Sequence, residues 1–282
     1  MLPDTELIAT RLRSFLLRNY HADVARLNET ISRSSNGAGL EPSMPPLAYS
    51  GNPFALRKNR CIALLGLNPR WRGPNDAYAE KEYNPVRIAI DQFRSGREAG
   101  FDEYRRIRAG YFDDDSRIYY WRYFSRLGNF LRKDLCRFGD DPPNSPRSIF
   151  RTMVFKADFL PWFSNDTSEI DWSKVAAAHD DALQSYYGLI NAFLTALQPR
   201  WIQCNGKQSS EVAETLFGCR LSEKIAYSAE GKKFSFFVGV TSTPISVPII
   251  VHSFGRYNGA DSFSAIAKQC HTLLGESMFR FE

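Results

Sequence analysis

Three apolar runs in this chain end on a polar side chain with a turn former close behind: "CIALLGLNP" at Asn68, "TMVFKADFLP" at Asp158 and "VPIIVHSFG" at His252. The three groups offer different chemistry. An amide both donates and accepts hydrogen bonds, an ionised carboxylate only accepts, and an imidazole titrates near neutrality. If the runs are strands of one parallel sheet, their carboxyl ends open onto a single crevice, where open α/β sheets bind ligands. Each residue also has a plain structural reading. Asn-Pro starts turns, Asp caps helices, and a histidine at a strand end often only satisfies its neighbours. Three such strand ends in one chain point to a site.

The elements that would position them can be read in order. Residues 5 to 33 form one or two amphipathic helices, with Leu7, Ile8, Leu12, Phe15, Leu16 and Leu17 on a helical period. The Gly/Pro/Ser-rich stretch from Ser34 to Pro53 is a connection, either laid over the surface or a tether. After the strand ending at Asn68 and an aromatic, turn-rich loop, residues 86 to 109 and 117 to 138 read as helices. The strand at Asp158 precedes a long helix from about Trp172 to Leu197. "WIQCNGKQSSEVAETLF" then reads as a strand from Trp201 to Cys204, the turn Asn205-Gly206-Lys207, and a helix from Ser209 to Phe217. "KKFSFFVGV" and "VPIIVH" are further strands, and a last helix runs from near Asp261 through Leu274. Alternating strands and helices predict a three-layer α/β/α sandwich around a mostly parallel sheet. The whole is expected to be one domain, with residues 1–57 an N-terminal helical region and loop and residues 58–282 the α/β core.

Composition narrows the chemistry. The chain has 282 residues, 43% of them hydrophobic, and a mean hydropathy of -0.36, ordinary for a protein that works in water. The N-terminus mixes acids and arginines with its apolar residues, so it reads neither as a signal nor as a membrane span. Five dispersed cysteines without a CxxC pair read as reduced thiols of a cytoplasmic protein, and no two of the four histidines have ligand spacing. Neither a metal nor another cofactor is expected. Arg117, Arg122, Arg126, Arg132, Lys133 and Arg137 stand against only Asp134, an excess equal to the chain's net charge of +5. That cluster fits a polyanion, nucleic acid first, or else is a solvated helix face.

The ordered set of motifs resembles the uracil-DNA glycosylase superfamily across about residues 58 to 272. "GLNPRW" is similar to the first motif of its mismatch-specific and single-strand-selective branches, and "VHSFGR" to the second. "DFLPW" stands where the family carries a base-reading Asn, and "PRWIQCNGKQSSEV" resembles its DNA-backbone-holding strand, glycine and helix. The resemblance implies that Asn68 positions an attacking water and that His252 hydrogen-bonds the departing base. It makes Arg256, with Tyr257, a wedge entering the duplex, and Tyr83, with Tyr78 behind it, the aromatic stacked on an extruded base. It also places Phe159 beside the base and Lys207 on DNA; the added cation Arg70 and the basic face with Arg122 and Arg126 are expected on DNA for their charge.

The departures carry information. Arg70 replaces a glycine, and His-Ser-Phe replaces His-Pro-Ser. Asp158 replaces the asparagine that both donates to uracil O4 and accepts from N3–H. An ionised aspartate repels O4 and welcomes an exocyclic amine. The expected activity is therefore hydrolysis of the N-glycosidic bond of a flipped, modified cytosine, such as those of phage DNA, in an antiviral role. N3 of cytosine is itself an acceptor, so either Asp158 is protonated or a second group serves N3. A uracil-type repair glycosylase and a non-catalytic DNA-binding protein of the same fold remain alternatives. No GxSxG, Walker A or GxGxxG motif supports another α/β enzyme. DNA is the expected partner, with no membrane, and the protein is expected to be a monomer.

Overall fold

The computed structural model describes residues 5–33, 39–71, 73, 79–113, 121–140, 142–222, 225–229, 232–252 and 260–281. Two amphipathic helices open the chain, α1 (Thr5–Leu16) and α2 (Tyr20–Ile31). Asn19 separates them by accepting from the Ala22 N–H at the start of α2. Part of the stretch over residues 39–56 seals the sheet edge: Ser50 N–H bonds the Lys156 carbonyl (2.8 Å), which covers an otherwise open strand.

The strands are β1 (Ile62–Gly66), β2 (Arg137–Phe138), β3 (Val154–Asp158), β4 (Ile202–Asn205), β5 (Ile225–Ala229), β6 (Lys232–Val240), β7 (Pro248–His252) and β8 (Arg280–Phe281). Six form the main sheet in the order β3-β1-β4-β7-β6-β5. β3, β1, β4 and β7 are mutually parallel, and β6 and β5 complete the sheet antiparallel. From β1 the chain steps outward to β3, then back across β1 to β4 and on to β7. The connections therefore diverge between β1 and β4, and the crevice outside their carboxyl ends is the switch point of the sheet.

Alternation along the strands divides the core in two. Ala63, Leu65, Phe155, Ala157, Ile202, Cys204, Ile249 and Val251 face one side, toward α1, α2, α3 (Asn84–Arg94), α4 (Glu98–Ala109), α7 (Trp172–Ala177), α8 (Asp181–Leu197) and α9 (Ser209–Phe217). Ile62, Leu64, Val154 and Ile250 face the other, toward α5 (Trp121–Phe130), α6 (Pro146–Thr152) and α10 (Ala260–Leu274). Helices thus cover both faces of a mostly parallel sheet, as such strands require.

Three expected elements differ. The helix expected over 86–109 is two, α3 and α4, broken where Gly96 takes a φ of 87°. The helix expected from Trp172 to Leu197 is also two. Asp180 accepts from the N–H groups of Ala182 (2.8 Å) and Leu183 (3.3 Å), so it starts α8 afresh. The basic helix expected over 117–138 runs as α only from Trp121 to Phe130. It then widens into one π turn, Leu131–Leu135, before β2. Arg117 lies outside the described residues.

Candidate functional site

Beyond its last sheet residue, β1 continues as an irregular ladder against the segment after β3. Phe159 N–H bonds Gly66 O (2.9 Å), Leu160 N–H bonds Leu67 O (2.9 Å), Ser164 N–H bonds Pro69 O (3.1 Å) and Trp71 N–H bonds Ser164 O (2.9 Å). This ladder fixes Asn68. Its amide nitrogen donates to Ser164 Oγ (2.8 Å), with the carbonyls of Pro69 (3.2 Å) and Trp162 (3.3 Å) also in reach. Three acceptors around the nitrogen settle which way the amide points. Asn68 Oδ1 is then left buried, without a hydrogen-bond partner among the described residues. Asn68 lines a cleft of about 230 Å³ with Arg70, Ser164, Asn165, Asp166 and Thr167. Asp166 is held below the usual carboxylate range by the N–H and hydroxyl of Ser168, with the Arg70 cation adding to this.

Asp158 and His252 stand in a second arrangement, created by strand register. Gly66 pairs with Asp158, and Asn205 pairs with His252. Leu64 pairs with Gln203, so the same register carried two residues on sets Gly66 beside Asn205. The period-two alternation puts all four on the face of Ile62, Leu64 and Ile250. Asp158, Gly66, Asn205 and His252 therefore form a row across the four parallel strands at their carboxyl edge. The missing side chain at Gly66 matters, because a Cβ there would collide with Asp158 Oδ1. The carboxylate occupies the space above β1.

Asp158 is anchored on its other sides. Lys156 Nζ lies 2.5 Å from Oδ2, an ion pair in which both side chains are largely buried. The Tyr186 hydroxyl donates to the Asp158 carbonyl (2.6 Å). The Asp158 charge is felt by Tyr123 of α5: burial, and then that charge, hold the Tyr123 hydroxyl above the usual phenol range. Oδ1 accepts no hydrogen bond among the described residues. His252 is 2% exposed, and burial pushes its imidazole down to about 4, so it is neutral at pH 7. Its carbonyl accepts from Gly206 N–H (3.2 Å). One row inward, Gln203 is 1% exposed, and neither atom of its amide has a partner among the described residues.

The structure treats the other expected residues unevenly. Phe159 is on the opposite face from Asp158, as alternation demands of its neighbour. It is 1% exposed and packs on Phe217 of α9, which makes it a core residue and not part of the Asp158 row. Tyr83 is also largely buried. Its ring meets Phe163 edge-on at 4.7 Å, and its hydroxyl donates to the Arg70 carbonyl (3.4 Å), so it supports the Asn68 loop from behind. Arg70, Lys207, Arg122 and Arg126 are exposed. Tyr78, Arg256 and Tyr257 lie outside the described residues. Lys133 and Arg137, from the basic stretch, line a separate groove of about 530 Å³ with Lys268 and His271, shared with Asp134 and Glu276.

Sequence reasoning passed over Ser164, Lys156 and Asn205. A period-two signal marks Lys156, the one cation in β3 and on the same side as Asp158. Asn205 ends the fourth parallel strand just as Asn68, Asp158 and His252 follow or end theirs. Nothing in sequence marks Ser164.

All five cysteines are buried and free. Among the described residues no cluster of His, Cys, Asp and Glu could hold a metal, and no helix is long and apolar enough to cross a membrane. Comparison with protein-family models and with curated proteins gave no match to this chain.

Proposed function

We propose that this protein is a DNA glycosylase that hydrolyses the N-glycosidic bond of a flipped, modified base, with a modified cytosine favoured, leaving an abasic site. The observation that carries the reading is the buried Asn68 Oδ1, whose orientation is fixed and whose acceptor capacity is unused at a cleft wall. Departure of a base leaves an oxocarbenium-like sugar that water must capture. A neutral amide suits that task, because it orders a water by accepting its hydrogen bond without acting as a strong base. The leaving base gathers negative charge, and a buried neutral imidazole such as His252 is a preorganised donor for it. Asn68 follows Gly66 by two residues, at most about 7 Å of chain. The Asn68 cleft therefore lies close to the carboxyl-edge row that holds Asp158 and His252. Exposed Arg70, Lys207 and Arg122 are available to phosphates, and Arg126 is exposed on α5 with Arg122.

The test is incubation of the protein with single- and double-stranded oligonucleotides carrying 5-hydroxymethylcytosine, cytosine or uracil, followed by alkali. Strand breaks at the modified cytosine are expected, and Asn68→Ala should slow them by about 10²-fold or more with the fold intact. Breaks at uracil alone would identify a repair enzyme instead. Tight DNA binding without breaks in any oligonucleotide would leave a binding protein.

A further inference from the structure

The groove between the π turn and α10 shares no lining residue with the Asn68 cleft. We propose that it binds a phosphate monoester carried on a hydroxyl-bearing sugar, with Lys133, Arg137 and Lys268 taking the phosphate and Glu276 a sugar hydroxyl. Such a site is independent of base release elsewhere in the molecule.

The groove is preformed. Its walls are joined where His271 Nε2–H donates to the Leu135 carbonyl (2.7 Å) and the Ser264 hydroxyl to Asp134 Oδ1 (3.2 Å). The π turn Leu131–Leu135 contributes Lys133 and Asp134 to the lining, and single π turns are frequent at functional sites. The volume of about 530 Å³ falls within the range of small-molecule sites, roughly 300–1,000 Å³. Lys133, Arg137 and Lys268 are exposed, and none makes an ion pair among the described residues, although Asp134 and Glu276 line the same groove. Arg137 donates instead to the carbonyls of Asp134 (2.9 Å) and Cys136 (3.3 Å). It is also paired in register with Arg280, and their neighbours Phe138 and Phe281 stack at 5.7 Å, so paired residues of β2 and β8 share a face. Like charges so placed repel. A phosphate monoester, with a charge of about −1.5 to −2 at pH 7, relieves that repulsion.

The carboxylates decide what carries the phosphate. An ionised carboxylate only accepts hydrogen bonds, so it repels a second phosphate and asks for a hydroxyl or an amine. Asp134 already accepts from Ser264. Glu276, exposed just past α10, is the carboxylate left for a ligand. A continuous nucleic-acid strand would bring further phosphates against both acids. One phosphate on a carrier with hydroxyls satisfies both signs of charge.

Calorimetry on the full chain with ribose 5-phosphate, AMP, inorganic phosphate, ribose and a single-stranded oligonucleotide tests the site. Ribose 5-phosphate or AMP should bind about tenfold or more tightly than inorganic phosphate or ribose, each of which lacks half of the recognition. Affinity for AMP above that for ribose 5-phosphate identifies a nucleotide ligand, and equal affinity a sugar phosphate. The double variant Lys133→Gln, Lys268→Gln, at exposed positions, should weaken both by roughly tenfold or more with the urea midpoint unchanged. Glu276→Ala should weaken ribose 5-phosphate severalfold and leave inorganic phosphate bound no more weakly. Asn68→Ala should bind both ligands as wild type does, which separates the groove from the Asn68 cleft. Inorganic phosphate bound as tightly as the sugar phosphate, or an affinity unmoved by the double variant or by Glu276→Ala, would overturn the site. So would an affinity lost in Asn68→Ala, or no binding at all. Binding of the oligonucleotide alone would assign the groove to a nucleic-acid strand and overturn it as well.

Discussion

At Asn68 the orientation of the amide matters as much as its presence, and two substitutions separate the two. Ser164→Ala removes the nearest acceptor of the amide nitrogen while leaving the two carbonyls. The amide then has less to hold it in one flip. The rate of base release should fall about tenfold with little change in KM, stability should drop by only about 1 kcal/mol, and Ser164→Thr should restore the rate. Asn68→Asp places an oxygen where the nitrogen now faces two carbonyls, with Ser164 the only donor among the three. Urea unfolding should show a loss of about 1–3 kcal/mol, against a smaller change for Asn68→Ala; an unchanged midpoint would mean that the amide is not held as described. The residue types Asn68, Asp158 and His252 could be read from sequence because each interrupts an apolar run. Which atom of each faces outward could not, because Ser164 and Lys156 decide it through contacts that no spacing rule contains.

At the scale of elements, the basic helix has become more specific than its composition suggested. Arg122 and Arg126 are exposed on α5, whereas Arg132 falls in the π turn, and its Nε is buried without a partner among the described residues. Replacing Arg122 and Arg126 with Gln should weaken DNA binding for every sequence and lower the slope of log K against log salt by roughly 0.9 for each phosphate no longer neutralised. Arg132→Gln should leave the slope alone. A slope unchanged in the double variant would make α5 a solvated face. The boundaries of α9 were legible to the residue, since Ser209 and Gly218 bracket an apolar period. The breaks before α4 and α8 were not, because Gly96 and Asp180 sit inside stretches whose helical periodicity continues through them. Phe159 was misplaced for a related reason: it adjoins Asp158 in sequence, and in a strand adjacency means the opposite face.

For the molecule as a whole, the sheet order sets where charge can be tolerated. Strand alternation predicted helices on both faces, but only pairing shows that β1 and β4 are neighbours, and so that Asp158, Asn205 and His252 share a row. One consequence is a pH dependence of stability. Burial holds His252 at about 4 in the folded chain, against about 6.5 when unfolded. The unfolded state therefore binds more protons between these values, and stability is full above pH 6.5 and falls as pH drops toward 4. By pH 5 the loss from this one group is about 2 kcal/mol. His252→Gln should flatten the difference between unfolding midpoints at pH 7 and pH 5, and an equal fall in both proteins would assign the acid sensitivity to carboxylates.

The turn after β4 also bears on how the protein ages. An asparagine loses its amide when the next backbone nitrogen attacks the side-chain carbonyl, and an unhindered glycine favours this most. Asn68 is shielded, because Pro69 offers no N–H. Asn205 is followed by Gly206 and is protected only by the fold, which ties the Gly206 N–H to the His252 carbonyl. Deamidation at Asn205 should thus proceed no faster than β4 and β7 part at this edge, and a peptide map of protein stored at alkaline pH would record that opening. The cyclic imide so formed reopens mainly to isoaspartate and in smaller part to aspartate, so the aged material would lose the Asn205 amide at the end of β4 and carry a rerouted backbone there.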